Sequence, residues 1–547
     1  MTITEHPHAG ATQLTVSLGG DTLGIADIAA IARRSEAVAV TVAADARERM
    51  RASVALRDDL IATGQPIYGV TTGVGNSVTT HLSPERAEYM MAVGFRKLLV
   101  GSGPAAAPDV TRAMMLVRAN CLARGHSAIR PEAVDLILAF LGRDILPIVP
   151  ECGSVGASGD LAPLAYLVEV LTGGGTVLHR GLRRSTTEVL AEEGLSPLRL
   201  QPKEGMALLN GTSFMAAFAA LAVHDATELA LVSDVCTALA VEALTGNMDH
   251  FHPRLHAQKP HPGQVRSAAR IRSLLDGSRL AVTHADILAA TPTVGSGEIQ
   301  RVERGVQDRY SIRCAPHVAG VLADTLDCFK TWVEVEVNSS NDNPLFDVDL
   351  GIVHNGGHFY GGHMGQAGDA LKLAVANVAD LLDRQLALLV DAKYNRGLPD
   401  NLVRHHAVDD PRAGMHHGLK GTQIAASALT AEALYRAAPA TLHSRSTEAH
   451  NQDKVSMGAT AVRGARDVVE LTGRVAAIHL LAACQAVDLR GGPQMLADGT
   501  RAAYEAVRGL VPFVDVEGRL DEDLASIARF VAEGGVGRAV AGSLPNC

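Results

Sequence analysis

The stretch that decides the fold runs from Phe214 to Thr245, about thirty residues without Gly or Pro, and ends at Gly246. Within it, the segment Ala216-Ala-Phe-Ala-Ala-Leu-Ala-Val223 is apolar nearly all the way round a helix. A helix of this kind has to be buried on every side. Globular helices of this length are uncommon unless they bundle. The stretch therefore predicts a mainly α-helical protein with a central bundle of long helices.

Long helical patterns recur after this run, in the segments His317 to Val337, Ala367 to Val390, Gly421 to Arg436 and Ala459 to Leu489. Before it, helical runs alternate with glycine-rich loops, and residues 173–202 have strand or turn character. We therefore divide the chain into a loop-rich N-terminal domain over 1–202, a long-helix bundle over 203–490, and a C-terminal helical segment and tail over 491–547. Packing against sister subunits would bury the apolar helices more completely, so we expect a homo-oligomer, and specifically a homotetramer.

Composition excludes several classes of protein. The chain has 547 residues, of which 47% are hydrophobic and 20% charged, as in globular proteins. A net charge of −10 without a long Lys/Arg run argues against binding to nucleic acid or to an anionic membrane. The best candidate for a membrane span, Phe214 to Val232, carries His224, Asp225 and Glu228. The seven cysteines are scattered and odd in number, which suggests free thiols in a reducing compartment. With no signal-peptide pattern at the N-terminus, we expect a soluble, cytoplasmic protein.

The most informative motif for chemistry is Gly153-Ser-Val-Gly-Ala-Ser-Gly159, which leads into Asp160-Leu-Ala-Pro-Leu-Ala-Tyr166. Its glycines allow the chain to fold back tightly. Asp160 is a good N-cap for the helix that follows, and Pro163 is tolerated in its first turn. The tripeptide Ala157-Ser158-Gly159 therefore precedes a helix N-terminus, where unpaired amides and the helix dipole favour developing negative charge. That position suits an electrophile.

This motif resembles the signature of the aromatic amino acid ammonia-lyases and aminomutases. The resemblance implies an ammonia-lyase-like superhelical fold and a methylidene-imidazolone (MIO) electrophile, formed autocatalytically from Ala157-Ser158-Gly159 without an external cofactor. The residue types fit that chemistry. Gly159 leaves its amide nitrogen unhindered to attack the carbonyl of Ala157, and Ser158 supplies the hydroxyl that is lost as the methylidene forms.

A second matching segment is the loop Tyr68-Gly-Val-Thr-Thr-Gly-Val-Gly75. The resemblance implies that Tyr68 is the base that removes a proton from the substrate's β-carbon. A tyrosine is a strong base only as a phenolate, which positive charge or hydrogen bonds nearby must stabilise. The loop glycines, among them the substrate-contacting Gly75, would let the loop close over the substrate and exclude water.

Two further segments, Lys203-Glu-Gly-Met-Ala-Leu-Leu-Asn-Gly-Thr212 and Gln307-Asp-Arg-Tyr-Ser-Ile-Arg-Cys-Ala-Pro316, supply the other catalytic candidates. The resemblance implies that Asn210 hydrogen-bonds the MIO carbonyl and that Tyr310 assists at the electrophile. It also implies that Arg313 holds the substrate carboxylate, for which a guanidinium offers bidentate geometry. Taken alone, Arg313 would be interpreted as a surface ion pair.

The remaining substrate-binding candidates come from the same resemblance, which covers most of residues 60–460. Glu448 and Gln452 would lie near the substrate amine, and their spacing puts them on one helix face if the stretch is helical. The other candidates are Gln307, Asn343 as a second carboxylate contact, and Phe359 beside the electrophile.

Substrate choice is predicted from Lys97 and Leu98, which occupy the family's ring-reading positions and match none of its common pairs. Leu98 suits a benzene ring, and Lys97 could donate to a phenolic or catecholic oxygen or to a ring carboxylate. Lys97 could equally be a solvated helix lysine. Lys420, in Gly418-Leu-Lys-Gly421, resembles the phenylalanine and tyrosine enzymes more than the histidine enzymes.

We therefore expect an ammonia-lyase that converts an aromatic, tyrosine-like L-amino acid to an arylacrylate and ammonia. An aromatic 2,3-aminomutase that makes a β-amino acid is the main alternative, followed by a histidine ammonia-lyase. A metalloenzyme built on His354, His358 and His363 is a remote alternative, since the chain has no His-Glu-x-x-His and we expect no metal. A purely structural helical scaffold is the least specific one, and it predicts an unmodified chain mass.

Overall fold

A computed structural model describes residues 3–8, 11–33, 38–516 and 518–545. The chain forms two compact units, each discontinuous in sequence. The first comprises residues 1–224, 329–369 and 439–466, and the second comprises residues 225–328, 370–438 and 467–547. The predicted division at 202 and 490 follows chain order rather than spatial contact, and it stays a prediction.

Four long helices dominate the fold, and the boundary between the units falls within each of them. They are Ser213–Ala243, Ala315–Val337, Gly362–Val390 and Gly458–Leu489. The last three contain the runs expected from the sequence, and Lys420–Arg436 contains a further one. The first helix covers its expected run except for Leu244 and Thr245. Alanine-rich runs free of Pro favour helix strongly enough to explain this agreement. The prediction of a mainly α-helical protein is confirmed.

The first unit combines shorter helices with small sheets. Its helices are Ile25–Arg33, Ala44–Ala62, Pro84–Gly94, Pro108–Ala123, Pro131–Gly142, Leu161–Leu171, Thr186–Glu192 and Glu204–Leu209. Ala11–Leu18 pairs antiparallel with Ile3–His8 and parallel with Val38–Val42. Thr176–His179 lies between Ile145–Pro147 and Leu182–Ser185 in an antiparallel sheet. The two-stranded pairs are Ser102–Ala105 with Pro150–Cys152 and Leu345–Asp347 with Ile352–His354.

The second unit is helical in its described residues. Besides its parts of the long helices it contains Pro253–His256, Pro262–Leu274, His284–Ala290, Tyr310–Arg313, Lys420–Arg436, Asp498–Arg508, Asp521–Ala532 and Gly535–Val540. Short 3₁₀ turns occur in both units, at Gly75–Ser77, Phe95–Leu98, Met248–Phe251, Asp400–Leu402, Thr441–His443, Pro493–Met495 and Ala541–Ser543.

Alanine, leucine and valine fill the core, as the low aromatic content requires. By length and composition, Ser213–Ala243 could cross a membrane, but 72% of its most apolar window is buried. A helix buried to this extent packs inside the protein, which agrees with its nearly uniform apolar surface.

Candidate active site

The loop around the tripeptide adopts the tight path that its glycines allow. Gly153, Gly156 and Gly159 have backbone φ of 121°, 69° and 71°. Residues with a Cβ rarely adopt such positive φ values. Ala157 and Ser158 are half-buried, whereas Gly159 is buried. The loop runs directly into helix Leu161–Leu171. The tripeptide is therefore held at a helix N-terminus while Ser158 keeps partial access to solvent.

Gly159 is paired with Gly211 from the turn between helices Glu204–Leu209 and Ser213–Ala243. The Gly211 N–H donates to the carbonyl of Ser158 at 3.4 Å, and the Asp160 N–H donates to the carbonyl of Gly211 at 2.7 Å. A Cβ on Gly159 would overlap the Gly211 carbonyl. Close approach of the two backbones thus requires glycine at position 159.

Asn210 immediately precedes this pairing. It ends helix Glu204–Leu209, its own N–H donating to the carbonyl of Met206 at 2.9 Å, and it is buried. The pairing of Gly211 therefore brings the Asn210 turn and the tripeptide together, as the proposed role of Asn210 requires.

Asp160 precedes helix Leu161–Leu171, but the prediction that its side chain caps this helix is wrong. The carboxylate instead accepts from the backbone N–H of Met215, at 2.8 Å, in helix Ser213–Ala243. Its side chain is fully buried, and this burial raises the pKa of Asp160 to about 7, against the opposing effect of backbone donors at Met215 and Phe214. Asp160 thus connects the end of the tripeptide loop to a long helix.

The two residues that precede helix Gly458–Leu489 bind the first half of the loop, at residues 155 and 156. The Ser456 hydroxyl donates to the carbonyl of Gly156 at 3.1 Å, and the Met457 N–H donates to that of Val155 at 3.0 Å. A Cβ on Gly156 would overlap the Ser456 hydroxyl. Ser456 is not among the residues predicted from the sequence, because nothing in the pattern indicates which loop it meets.

The Tyr68 loop starts from the hydrophobic core. Ile67 and Val70, on either side of Tyr68, are buried in a cluster with Ala128 and Phe346. Tyr68 itself is half-buried, and its phenolic oxygen accepts from the Gly75 N–H at 3.1 Å. This amide is one of the hydrogen-bond donors that a phenolate there would need.

Gly75 also brings Glu448 close to Tyr68. Gly75 has φ of 60°, and a Cβ at this position would overlap the Glu448 carboxylate. The structure thus groups Tyr68 and Gly75 with Glu448, which lies more than 370 positions further along the chain. The same segment that carries Glu448 continues to Ser456 and the tripeptide loop.

The conditional expectation of a helix over Glu448 and Gln452 is wrong. Glu448, Ala449 and His450 have φ of 53°, 51° and 65°, in the left-handed region. Gln452 pairs back to Thr447, whose hydroxyl donates to the Gln452 amide oxygen at 2.8 Å. Backbone strain of this kind collects at functional sites. Glu448 is therefore presented by a tight turn and not by a helix face.

The other candidates of the first unit occupy separate segments. Asn343 is buried, and its amide oxygen accepts from the Gly356 N–H at 2.7 Å, in the loop that carries the half-buried Phe359. Lys97 is exposed and Leu98 half-buried in the 3₁₀ turn Phe95–Leu98. The roles assigned to these four residues stay predictions.

The second unit carries Gln307, Tyr310, Arg313 and Lys420. Tyr310 is 73% exposed, and the Arg313 guanidinium lies 4.5 Å from its ring centroid. Arg313 also donates to the backbone carbonyl of Asp308 at 3.1 Å, while the Asp308 carboxylate pairs with Arg396. Gln307 and Lys420 are exposed. The substrate contacts expected of these residues stay predictions.

The histidines of the metalloenzyme alternative have separate partners. His354 contacts Asp347 at 3.0 Å, and the His363 ring packs edge-on against Trp332. Within the described parts of the chain, the three-residue group with metal-ligand spacing lies elsewhere and comprises His179, Glu192 and Glu193. Its two carboxylates already pair with Arg184 and Arg180.

Comparisons with known proteins identify the family of this chain. A sequence model of the family described as aromatic amino acid lyase matches residues 23–509. The chain is 38% identical over 525 residues to a tyrosine ammonia-lyase of Cupriavidus metallidurans, covering 94% of this chain and 96% of that protein. Over 517 residues it is also 38% identical to a histidine ammonia-lyase of Gloeobacter violaceus, with coverage of 94% and 96%.

Among solved structures, the tyrosine aminomutase of Streptomyces globisporus is similar with a TM-score of 0.91 and 35% identity, covering 97% of this chain and 99% of that one. A histidine ammonia-lyase from Trypanosoma cruzi is similar with a TM-score of 0.86 and 30% identity, covering 97% and 96%. The chain belongs to the aromatic amino acid lyase family, a class of carbon–nitrogen lyases, and the predicted fold is confirmed.

Proposed function

We propose that this chain is a MIO-dependent ammonia-lyase that removes ammonia from a tyrosine-like aromatic L-amino acid and releases an arylacrylate. One observation carries the proposal. Ser158 is half-buried beside Gly159, whose flanking peptide groups are both hydrogen-bonded to Gly211, so the tripeptide is held in a tight path that requires glycine at position 159. This arrangement fits the cyclisation of Ala157-Ser158-Gly159.

The difficulty of the reaction explains why such a group is needed. An α-amino group leaves poorly, and a β-proton that is not next to a carbonyl is weakly acidic. The MIO group, once formed, supplies an electrophilic carbon that accepts the substrate amine and makes it a better leaving group. The remaining work falls to the side chains around the tripeptide.

Tyr68 takes the β-proton as a phenolate, which the Gly75 N–H donor stabilises. The Glu448 carboxylate, packed against Gly75, attracts the substrate ammonium group and accepts the proton that the nitrogen must lose before it can act as a nucleophile. Asn210 donates toward charge that develops on the tripeptide carbonyl. Arg313 and Asn343 bind the substrate carboxylate, with Tyr310, Gln307, Phe359, Gln452, Lys420, Lys97 and Leu98 around the remainder of the substrate.

Intact-mass measurement tests the chemistry directly. We expect the wild-type chain to be lighter than its sequence by two water molecules. The Ser158→Ala variant should have its full calculated mass, and its activity should fall to background. A wild-type mass equal to the calculated one in an active preparation would overturn the proposal.

Substrate choice is tested by comparing kcat/KM for tyrosine, dihydroxyphenylalanine, phenylalanine and histidine. We expect a hydroxylated ring to be preferred, because Lys97 can donate to a ring oxygen and Leu98 suits a benzene ring. A clear preference for histidine would contradict this choice and support the histidine ammonia-lyase alternative.

An aromatic 2,3-aminomutase is the second candidate. Similarity to the tyrosine aminomutase of Streptomyces globisporus favours it, since the two chains match over nearly their full length. The two activities differ in whether the arylacrylate leaves before ammonia returns at the β-carbon. Chromatography of the product decides between them: an arylacrylate supports the lyase, and a β-amino acid supports the aminomutase.

We also propose a cytoplasmic homotetramer. Both units expose large apolar side chains, such as Leu182 and Leu442 in the first and Tyr435 and Ile424 in the second. The six cysteines that the structure describes are free thiols, as expected in a reducing compartment. Light scattering coupled to size-exclusion chromatography measures the assembly, and a monomeric, active enzyme would contradict it.

A further inference from the structure

Gly211 lies between the tripeptide and a buried arginine. On one side, a Cβ at Gly159 would overlap the Gly211 carbonyl. On the other side, a Cβ at Gly211 would overlap Nη1 of Arg118 and crowd the amide oxygen of Asn341. The order of contact is thus Gly159, then Gly211, then Arg118, with no room for a side chain at either glycine.

Arg118 is fixed on several sides. It projects from helix Pro108–Ala123 and is fully buried. Its Nη2 donates to the backbone carbonyl of Ala207, and its Nη1 donates to the Asn341 amide oxygen at 2.9 Å. Nη1 also contacts the Ser213 hydroxyl at 3.5 Å. Ala207 and Ser213 lie before and after Gly211 in the chain, so the guanidinium bridges the turn that carries Gly211.

The second buried side chain, Asn341, extends the same support. Its amide nitrogen donates to the Thr212 hydroxyl at 2.8 Å, which ties it to the residue after Gly211. Arg118 and Asn341 together therefore hold the Asn210–Ser213 turn from behind. Burying a charged arginine is costly, because the guanidinium loses its contacts with water. The pKa of Arg118 is lowered by this burial.

The hydrogen bonds of Gly211 leave one group of Gly159 unused. The Ser158 carbonyl and the Asp160 N–H, which flank Gly159, are both paired with Gly211. The amide nitrogen of Gly159 takes no part in this pairing. It is the atom that must reach the carbonyl carbon of Ala157 when the ring closes.

We propose that Arg118 is a positioning residue for this ring closure, acting through Gly211. The proposal rests on the function proposed above. Arg118 presses the Gly211 backbone onto the peptide groups that flank Gly159, and so keeps the Gly159 nitrogen near the Ala157 carbonyl. Holding two reacting groups together in this way accelerates an intramolecular reaction.

The atoms balance without a co-reactant. A C–N bond forms between the Gly159 nitrogen and the Ala157 carbonyl carbon. The Ala157 oxygen leaves as water with the amide protons of Gly159 and Ser158. A second water takes the Ser158 hydroxyl and its Cα proton.

The experiment follows the loss of two waters over time after cell-free synthesis of the full chain, by intact-mass spectrometry. We compare the wild type with Arg118→Met and Arg118→Lys. We expect the methionine variant to lose the waters at least about tenfold more slowly than the wild type. The lysine variant should be intermediate, since it keeps the charge but lacks the planar fork that reaches two acceptors.

Arg57 is the matched control. It is also a buried arginine of the first unit and also donates to backbone carbonyls, those of Ala128 and Pro202. It does not touch Gly211. We expect Arg57→Met to lower the melting temperature comparably while losing the two waters at the wild-type rate.

A second variant covers the case in which Arg118→Met does not fold. Asn341→Ala removes the acceptor of Nη1 and should slow water loss to a smaller degree. If the wild type loses two waters and both the Arg118 variants and Asn341→Ala match its rate, the role of Arg118 is overturned. If the wild type never loses them, the proposed function itself fails.

Discussion

Two groups of residues that the proposals use are built differently. We call Arg118, Gly211 and Asn341 the Gly211 side, and Tyr68, Gly75 and Glu448 the Tyr68 side. The Gly211 side is buried and tied by hydrogen bonds to three helices or turns. The Tyr68 side includes a half-buried phenol and a turn in left-handed conformation.

This difference suggests a division of labour. The buried, hydrogen-bonded Gly211 side suits the shaping of the tripeptide, which happens once in the life of each chain. The partly open Tyr68 side suits binding, proton transfer and release, which happen in every turnover. Variants of the two sides should therefore differ in whether they change the chain's mass or only its activity.

The largest effect should come from Tyr68→Phe. We expect kcat to fall about 10³-fold, because the variant removes the proposed base but keeps the ring. The two-water mass deficit should be unchanged, because Tyr68 takes no part in the proposed ring closure. Steady-state kinetics and intact mass check both parts. A loss of the mass deficit would contradict the separate roles of the Gly211 side and the Tyr68 side.

Gly75→Ala should act next most strongly. A Cβ there would overlap the Glu448 carboxylate and would also be strained at φ of 60°. We expect kcat to fall about 10²-fold, because a displacement of about 1 Å near the reacting groups costs that much. The control is Gly64→Ala, where φ is 73° but no atom lies within 4 Å. Equal losses in the two variants would show that backbone strain alone, and not Glu448, is responsible.

Asp160→Asn should change how the folding stability of the protein depends on pH. The carboxyl is protonated more readily in the folded chain, with a pKa of about 7, than in the unfolded chain, with a pKa near 3.8. Folding stability contributed by the protonated form is therefore present at about pH 4 and lost as the pH rises to 7. The loss is at most about 4 kcal/mol for a pKa that rises from 3.8 to about 7 on folding.

We expect the asparagine variant to lose less stability than the wild type between pH 5 and 7.5, measured by urea unfolding. Asp234, in the second unit, is the control because burial also raises its pKa to about 7. Asp234→Asn should flatten the pH dependence in the same way, yet only the Asp160 variant should alter activity. An unchanged pH dependence in Asp160→Asn would contradict the raised pKa of Asp160.

The smallest effect should come from Lys97→Met. If Lys97 donates to a ring oxygen, kcat/KM for tyrosine relative to phenylalanine should fall about tenfold, the worth of one hydrogen bond from a charged donor. Lys259→Met, at another exposed lysine, should leave the ratio unchanged. An unchanged ratio in Lys97→Met would indicate a solvated lysine.

The sequence by itself determined the long helices and the chemistry of the tripeptide. Runs rich in alanine and leucine and free of Pro favour helices through their own residue preferences. The unhindered amide of Gly159 and the hydroxyl of Ser158 are likewise properties of the residues themselves. These features are local. They need no knowledge of neighbours in space, so they could be predicted.

Tertiary structure decided what surrounds the tripeptide. Arg118 and Asn341 are 223 positions apart, and no spacing indicates that both meet the turn at Gly211. The Asn-Gly pair at 210–211 signalled a turn but not its partner. Likewise, the interval between Glu448 and Gln452 fits a helix, whereas in the structure residues 448–450 are left-handed and the Glu448 carboxylate lies against Gly75. Such contacts follow from the path of the whole chain, because burial selects partners by proximity in space and not by distance in sequence.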